Sequence, residues 1–335
     1  MTELTLDLGE RGYKIQVGRD LLSRAKKYFN LDRRVFIVTD SGVPDIYAKA
    51  VKKQCKEAKI VTVQEGEGSK SPETLTRLLT EMTDFQLNRG DCTVAVGGGV
   101  VGDLTGFAAS IYMRGIDFYN IPTTLLSQID SSIGGKTAIN LAGIKNVVGA
   151  FHQPRGVLID TDVLKTLPKR QLSSGLAEAI KMALTSDAAL FEQIENVAEI
   201  NDEALEKIIV GSLKIKKHVV EEDEKETGLR KILNFGHTFG HGIEAQGGLY
   251  HGECIALGMI PMCNDSVRER LIPVLKKYNL PTTLGCDTEA ALSLVLHDKK
   301  GTGDGVIAVL VDEIGSYRFK KMSFTEFGEA VKNVY

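Results

Sequence analysis

Between Leu233 and Glu253 the sequence LNFGHTFGHGIEAQGGLYHGE sets three of the chain's six histidines among glycines. Read as a helix, its Asn234, His237, His241 and Glu244 recur at spacings of three and four, which puts four polar side chains on one face. A helix built only for packing would carry an apolar stripe there. Gly236 and Gly240 on the neighbouring face admit a second backbone, and His251 follows just past the Gly247-Gly248 break. Two imidazoles and one carboxylate are the donor set of a catalytic zinc site that keeps room for a substrate. His237, His251 and a carboxylate such as Glu178 would meet that requirement. The rival is an HxxxH pair of His237 and His241, which lacks the glutamate that follows the first histidine in zinc proteases. A purely structural role for these histidines is the third reading.

A second group of residues suits an anion. Gly97-Gly98-Gly99-Val100-Val101-Gly102-Asp103 follows an apolar strand, where glycines let the backbone approach a pyrophosphate and the next helix offers its N-terminal amides. The run matches GxGxxG, but the acidic residue expected about 20 positions later is poorly met by Asp117, so a standard dinucleotide fold is not expected. Taken alone, the glycines also suit a tight strand-to-helix turn. Thr123-Thr124 and Asp130-Ser131-Ser132-Ile133-Gly134-Gly135-Lys136 add hydroxyls and glycines around one lysine, a cradle for phosphate or carboxylate. A Walker loop is excluded, because its first glycine would have to stand where Asp130 is. Arg114, Lys136 and Lys145 each read singly as surface charges, and Glu178 and Lys181, three residues apart, as an exposed ion pair. Lys216 differs, since it falls on the apolar face defined by Leu205, Ile209, Leu213 and Val220, and a buried lysine needs an anion.

These side chains must be held by two kinds of scaffold. Short apolar runs at Val35–Thr39, Ile60–Val63 and Thr93–Val96 alternate with helical stretches at Ile46–Lys56 and Pro72–Phe85, the βαβ rhythm of a mainly parallel sheet. After Pro168 the texture turns to helix upon helix, from Leu172 to Glu195 and from Ala204 to Val220. Two domains are therefore expected, 1–168 as an α/β nucleotide-binding domain and 169–335 as an all-α domain, consistent with 335 residues exceeding one ordinary core. A formal net charge of -3 offers no global field for nucleic acid or an anionic membrane, so anion selectivity must be local. No apolar run approaches 18 residues, no leader is expected, and five scattered cysteines without a CxxC pair read as reduced packing residues of a cytosolic protein. The acidic run Glu221–Glu226 reads as a solvated segment.

Taken together, the glycine run ending in Asp103, PTTLLSQIDSSIGGKT, the GIKN segment, LAEAIK, DEKETGLRKILNFGHTFGH and LYHGE resemble 3-dehydroquinate synthases. The resemblance spans roughly residues 35–310 and implies an α/β N-terminal domain, related to glycerol dehydrogenases, beside an α-helical C-terminal domain. It implies conversion of 3-deoxy-D-arabino-heptulosonate 7-phosphate to 3-dehydroquinate and phosphate. Transient NAD-dependent oxidation, phosphate elimination, re-reduction, ring opening and intramolecular aldol closure would follow one another on a single bound substrate. NAD, one divalent metal (Zn or Co), a homodimer and a cytoplasmic location are implied with it. Another sugar phosphate cyclase would depart from the SSxGGK segment, a metal-dependent polyol dehydrogenase would not need so many cations, and a non-enzymatic nucleotide sensor would not need the metal ligands.

Residue by residue, the resemblance makes Glu178, His237 and His251 the metal ligands and His241 and Glu226 the proton-transfer groups, with Lys181 and Lys136 also catalytic. Asp130, Lys136, Asn146, Lys181, Lys216, Arg230 and Asn234 match its substrate ligands, with Arg114 reaching from the neighbouring subunit and Lys299 or Lys300 contributing. The nucleotide positions are Asp40, Glu67, Lys70, Gly98, Gly99, Val100, Asp103, Thr123, Thr124, Lys145 and Thr166. The family usually has asparagine two residues after the ribose-binding aspartate; here that position is Gly42.

Overall fold

A computed structural model of the chain describes residues 1–285, 287–299 and 305–335. It divides into two compact units, Met1–Leu167 and Pro168–Tyr335. The first holds strands β1 (Thr2–Leu6), β2 (Tyr13–Gly18), β3 (Arg34–Asp40), β4 (Glu57–Val63), β5 (Cys92–Gly97), β6 (Asp117–Pro122), β7 (Lys136–Leu141), β8 (Ile144–Phe151) and β9 (Gly156–Asp160). Helices α1 (Asp45–Lys52), α2 (Pro72–Asp84) and α3 (Gly99–Ile111) lie between them. Seven strands form one sheet in the order β1-β2-β9-β6-β5-β3-β4, antiparallel only between β1 and β2, while β7 and β8 make a separate antiparallel hairpin.

The central strands are apolar on both faces because helices cover both. Val35 and Ile37 of β3 join Val94 and Val96 of β5 and Tyr47, Ala48 and Val51 of α1 in one core. Phe36, Val38 and Ala95 point the other way, into a core with Leu75, Leu78 and Met82 of α2 and Leu104 and Phe107 of α3. Each such side chain, fully buried, contributes about 1.5–3 kcal/mol. Pro72 opens α2 behind a Ser71 cap that accepts from the Thr74 amide at 3.2 Å. Helix α1 stops at Lys52, short of the Lys56 expected from periodicity, because β4 starts at Glu57 to pair with β3 from Arg34 onward.

The second unit holds α4 (Lys169–Ser186), α5 (Ala188–Asn196), α6 (Asp202–Glu222), α7 (His237–Glu244), α8 (His251–Met259), α9 (Asp265–Lys277), α10 (Thr288–Lys299) and α11 (Phe324–Lys332). It is helical as expected, with an addition the sequence reading lacked: an antiparallel ribbon of β10 (Gly305–Leu310) and β11 (Arg318–Ser323). The helix expected from Leu172 to Glu195 is two helices. Asp187 leaves the helical region at φ -154°, ψ 95°, and its carboxylate accepts from the Leu190 amide at 3.0 Å, capping α5. The histidine-rich stretch is likewise broken. Gly236 takes a left-handed φ of 76° ahead of α7, so Asn234 lies in a preceding 3₁₀ turn, Leu229–Asn234, off the face that His237, His241 and Glu244 share.

Candidate active site and metal centre

Three helices of the second unit converge on one carboxylate. Glu178, on α4, is 1% exposed, and His237 Nε2 and His251 Nε2 stand 3.7 and 3.5 Å from its Oε1. Glycines make the approach of α7 to α8 possible: a Cβ on Gly258 would lie 1.9 Å from the Gly236 carbonyl oxygen, and one on Gly240 3.0 Å from that of Cys254. The spacing of Gly236 and Gly240 thus has the role expected of it. Candidate ligand atoms of Glu178, His237 and His251 lie within 4.8 Å of one another, as do those of His241, Glu244 and His251. His237 and His241 meet edge to face, with ring centroids 5.3 Å apart. Each belongs to a different one of these groups, which disfavours the HxxxH pair.

The outer nitrogens are already committed. His237 Nδ1 lies 3.1 Å from the Phe235 carbonyl oxygen, which can only accept, so Nδ1 carries the proton and Nε2 presents its lone pair to Glu178. His251 Nδ1 lies 3.2 Å from Glu244 Oε2. A backbone carbonyl behind one imidazole and a carboxylate behind the other are the supports that metal-binding histidines use. Glu178 Oε1 faces the two imidazoles, and the Lys181 ammonium ion-pairs with Oε2. Lys181 is itself 1% exposed, so the pair expected at the surface is buried, because α4 is covered on every side from Ser174 to Thr185. Against the cost of burial, the Lys181 ammonium and the two imidazoles hold the Glu178 carboxyl well below its usual range. Burial and the nearby Lys181 ammonium keep His237 well below its ordinary value, hence neutral. Burial alone would lower His251 too, but hydrogen bonds to the Glu178 and Glu244 carboxylates push it up to about 9.

The remaining candidates of this unit cluster by segment. Lys216 is 6% exposed on α6, as its place on the apolar face implied, and Arg230 is 1% exposed. Asn234 donates through Nδ2 to Glu226 Oε1 at 2.9 Å, which joins a substrate candidate to a proton-transfer candidate. Glu226 sits at a left-handed φ of 61° in a loop tied to Asp223, a residue the sequence reading passed over within an acidic run. Asp223 is 8% exposed, and its carboxylate accepts from the amides of Thr227, Gly228 and Arg230 at 2.8, 2.7 and 2.9 Å. Those bonds outweigh its desolvation and bring the carboxyl down to about 2. Asp223 is therefore an anchor for the loop. Three amides held by one side chain leave no periodic trace in sequence.

In the first unit the candidates gather at the carboxyl ends of β3, β5 and β6. The chain turns from β3 to β4 on one side and to β5 on the other, a topological switch point, and Asp40 and Gly98–Gly99 lie at the ends of the two strands that flank it. Asp40 accepts from the amides of Gly42 and Val43 at 2.9 and 3.1 Å. Burial raises its carboxyl above the usual value. A Cβ at Gly42 would lie 2.2 Å from Glu65 Oε2, so the asparagine usual in the family would require Glu65 to move. Gly98 stands at the N-cap of the 13-residue α3, and Val100 lies in its first turn, which carries no acidic residue. Thr123 is buried with its amide on the Gly97 carbonyl at 2.9 Å, and Thr124 Oγ1 accepts from the Ser127 amide at 3.2 Å. Thr166 bonds Tyr47 at 2.9 Å.

Lys70, 3% exposed, donates to Asp103 Oδ2 at 2.7 Å and to Asn146 Oδ1, and lies 3.6 Å from Glu67. One network thus ties three nucleotide candidates to a substrate candidate. Burial pushes the Asp103 carboxyl up to about 6 against the pull of Lys70. Asp103 and Lys136 also line a small cavity with Asn120, Ser131 and Ser132, whose side-chain oxygens are buried without a partner. Asp130 lies in the turn before Lys136, while Lys145 and Arg114 are exposed. Lys300 and Cys286 lie outside the described residues, and the side chain of Lys299 is likewise not described.

Solved structures similar to this chain give the class. A 2-deoxy-scyllo-inosose synthase complexed with carbaglucose-6-phosphate, NAD⁺ and Co²⁺ matches with a TM-score of 0.88 at 28% identity, covering 100% of both chains. A 2-epi-5-epi-valiolone synthase from Streptomyces hygroscopicus subsp. jinggangensis 5008, with NAD⁺ and Zn²⁺ bound, matches with a TM-score of 0.87 at 27% identity, covering 96% of each. The fold is that of the sugar phosphate cyclases. Within that class the sequence is more specific. Residues 60–174 match the model of the 3-dehydroquinate synthase N-terminal region and residues 175–301 that of its C-terminal region. The 3-dehydroquinate synthase of Caulobacter vibrioides (strain NA1000 / CB15N) is 44% identical over 339 residues, 92% of each chain. The chain belongs to the 3-dehydroquinate synthase family.

Proposed function

We propose that the family's reaction, heptulosonate phosphate to 3-dehydroquinate and phosphate, runs in this chain on a metal triad of Glu178, His237 and His251 and a nucleotide set led by Asp40, Gly98, Gly99, Lys70 and Asp103. The observation that carries the metal assignment is the pair of Nε2 atoms turned toward one buried Glu178 oxygen. His237, neutral with its proton on Nδ1, turns a lone pair toward that oxygen, an arrangement that is repulsive until a cation lies between them. The donor set, two nitrogens and one oxygen, suits Zn²⁺ or Co²⁺. When bound, the ion supplies Lewis acidity at a substrate hydroxyl, and NAD supplies a hydride acceptor that is restored within the turnover. The protein's own part is to bind and orient. Lys181, Lys216 and Arg230, all buried, give fixed positive charge for an anionic substrate, and Lys136, Asp130, Asn146 and Asn234 add directional hydrogen bonds. His241 and Glu226 move protons, with Glu226 held by Asn234. At the nucleotide, the amides that open α3 receive the pyrophosphate and Asp40 the ribose. Val100, Thr123, Thr124, Lys145, Glu67 and Thr166 complete its surroundings.

A homodimer is part of the proposal. Ile111, Met113, Ile144, Val147 and Phe151 are 43–57% exposed, and Met113 and Arg114 hold left-handed φ values of 48° and 70°. A second copy would cover that apolar surface and receive Arg114. Scattered cysteines without a CxxC pair suit a reducing cytoplasm, and no described helix is long and apolar enough to cross a membrane. The test is to incubate the protein with the heptulosonate phosphate, NAD⁺ and Zn²⁺ and follow phosphate, nicotinamide absorbance and the carbon skeleton by NMR. Phosphate and 3-dehydroquinate should form together with no net NADH; stoichiometric NADH would make it a dehydrogenase instead.

A further inference from the structure

Beyond the Glu244 carboxylate behind its Nδ1, His251 depends for its place on the segment that carries it. His251 is the first residue of α8, behind a glycine-rich turn, Gly247-Gly248, where both residues have positive φ. Such a helix start has little rigidity of its own. It is gripped from α4 at three levels spaced four residues apart, by Arg170, Ser174 and Glu178, which therefore share one face of that helix. At the lowest level Arg170 spans the Glu253 carboxylate as a fork, Nε to Oε1 and Nη2 to Oε2, both at 2.7 Å. The same Nη2 donates to the Gly248 carbonyl at 3.1 Å, and the guanidinium lies 4.6 Å from the centre of the Tyr250 ring. Glu253, 5% exposed, in turn accepts from the Tyr250 amide at 2.8 Å. At the middle level Ser174 Oγ accepts from the Gly252 amide at 3.0 Å, and a Cβ on Gly252 would lie 1.9 Å from the Ser174 carbonyl oxygen. The top level is Glu178 itself, facing His251 Nε2 at 3.5 Å.

We infer that Arg170 and Ser174 are positioning residues for the metal centre: they lock the residues on both sides of His251 onto the helix that carries Glu178, so that two ligands from separate helices are set at ligand spacing before an ion arrives. Residues 248, 250, 252 and 253 are all held, and His251 is the member of that turn left to point at Glu178. The inference rests on the metal assignment above. Supports of this kind, one step behind the ligands, are worth roughly 10- to 100-fold in metal affinity. Lysine at 170 would keep the charge and lose the fork, because only a guanidinium presents two parallel donors to a carboxylate.

The test is Zn²⁺ and Co²⁺ affinity, by competition with a chromogenic chelator, in wild type, R170M, R170K, S174A and H251A, with the Co²⁺ ligand-field spectrum and NAD⁺ affinity measured alongside. R170M should bind either ion roughly 10- to 100-fold more weakly, with an altered Co²⁺ spectrum, unchanged NAD⁺ affinity and activity recovered at saturating zinc. R170K should fall between R170M and wild type, and S174A should weaken binding in the same sense. Wild-type ion affinity and spectrum in R170M, alongside loss of binding in H251A, would overturn the inference. Should R170M fail to fold, S174A decides in its place: unchanged ion affinity there would count against the ladder. If wild type bound no ion, or H251A bound as well as wild type, the metal assignment itself would fall, a result distinct from the failure of the ladder.

Discussion

Lys181→Met isolates the charge balance on which the centre depends. Lys181 and Glu178 are each 1% exposed, and the ammonium ion-pairs with Oε2 while the imidazoles face Oε1. In metal-free protein, methionine leaves a buried carboxylate whose remaining positive partner is His251. Removing one member of a buried pair costs about 3–5 kcal/mol. For a unit of this size, Pro168–Tyr335, about 2–4 °C is lost per kcal/mol, so the metal-free melting temperature should fall by roughly 6–20 °C. A divalent ion at the triad would restore positive charge beside Glu178, and without Lys181 it would meet one cation fewer. Saturating Zn²⁺ should therefore close much of the gap in melting temperature, and zinc should bind the variant more tightly than wild type even though activity is lost. Calorimetric melts of both proteins, with EDTA and with Zn²⁺, measure this directly. Equal losses in the two conditions, or a metal-free variant that melts with wild type, would refute the shared charge.

Two further outcomes are expected. The Asp223 carboxyl is depressed to about 2, so the stability it contributes is fully present above its unfolded value near 4 and disappears as pH falls toward 2. The melting temperatures of wild type and Asp223→Asn should accordingly differ above about pH 4 and converge near pH 2; a difference that persists unchanged at pH 2 would remove the anchor's charge from the explanation. Lys216→Ala, at a position 6% exposed, should lower kcat/KM by the equivalent of about 3–5 kcal/mol if that ammonium meets substrate charge. A near-unchanged rate would return Lys216 to a structural role.

Much of the scaffold is legible in the residues themselves. Val35 to Val38 alternate between two apolar cores, and that marks a strand covered on both sides. His237 and His251 were identifiable because imidazoles among glycines have little packing purpose, and Gly240 and Gly258 allow the close contact of α7 with α8. What periodicity could not supply was any conformation set by a single residue. Gly236, at φ 76°, takes Asn234 off the helix face, and Asp187, by capping, cuts one expected helix into two. The burial of Lys181 depends on which helices surround α4, information a local window lacks. Asp223, Arg170 and Glu253 escaped for a related reason: each acts by hydrogen bonds to a neighbouring segment, and as exposed-looking charges they resemble ordinary surface residues.

The most direct measurement on the central claim is zinc-edge anomalous diffraction from crystals of the protein grown with Zn²⁺. One strong peak is expected at roughly 2.0–2.2 Å from Glu178 Oε1, His237 Nε2 and His251 Nε2. A peak on His241, Glu244 and His251 Nδ1 instead, or none at the triad in zinc-replete crystals, would contradict it.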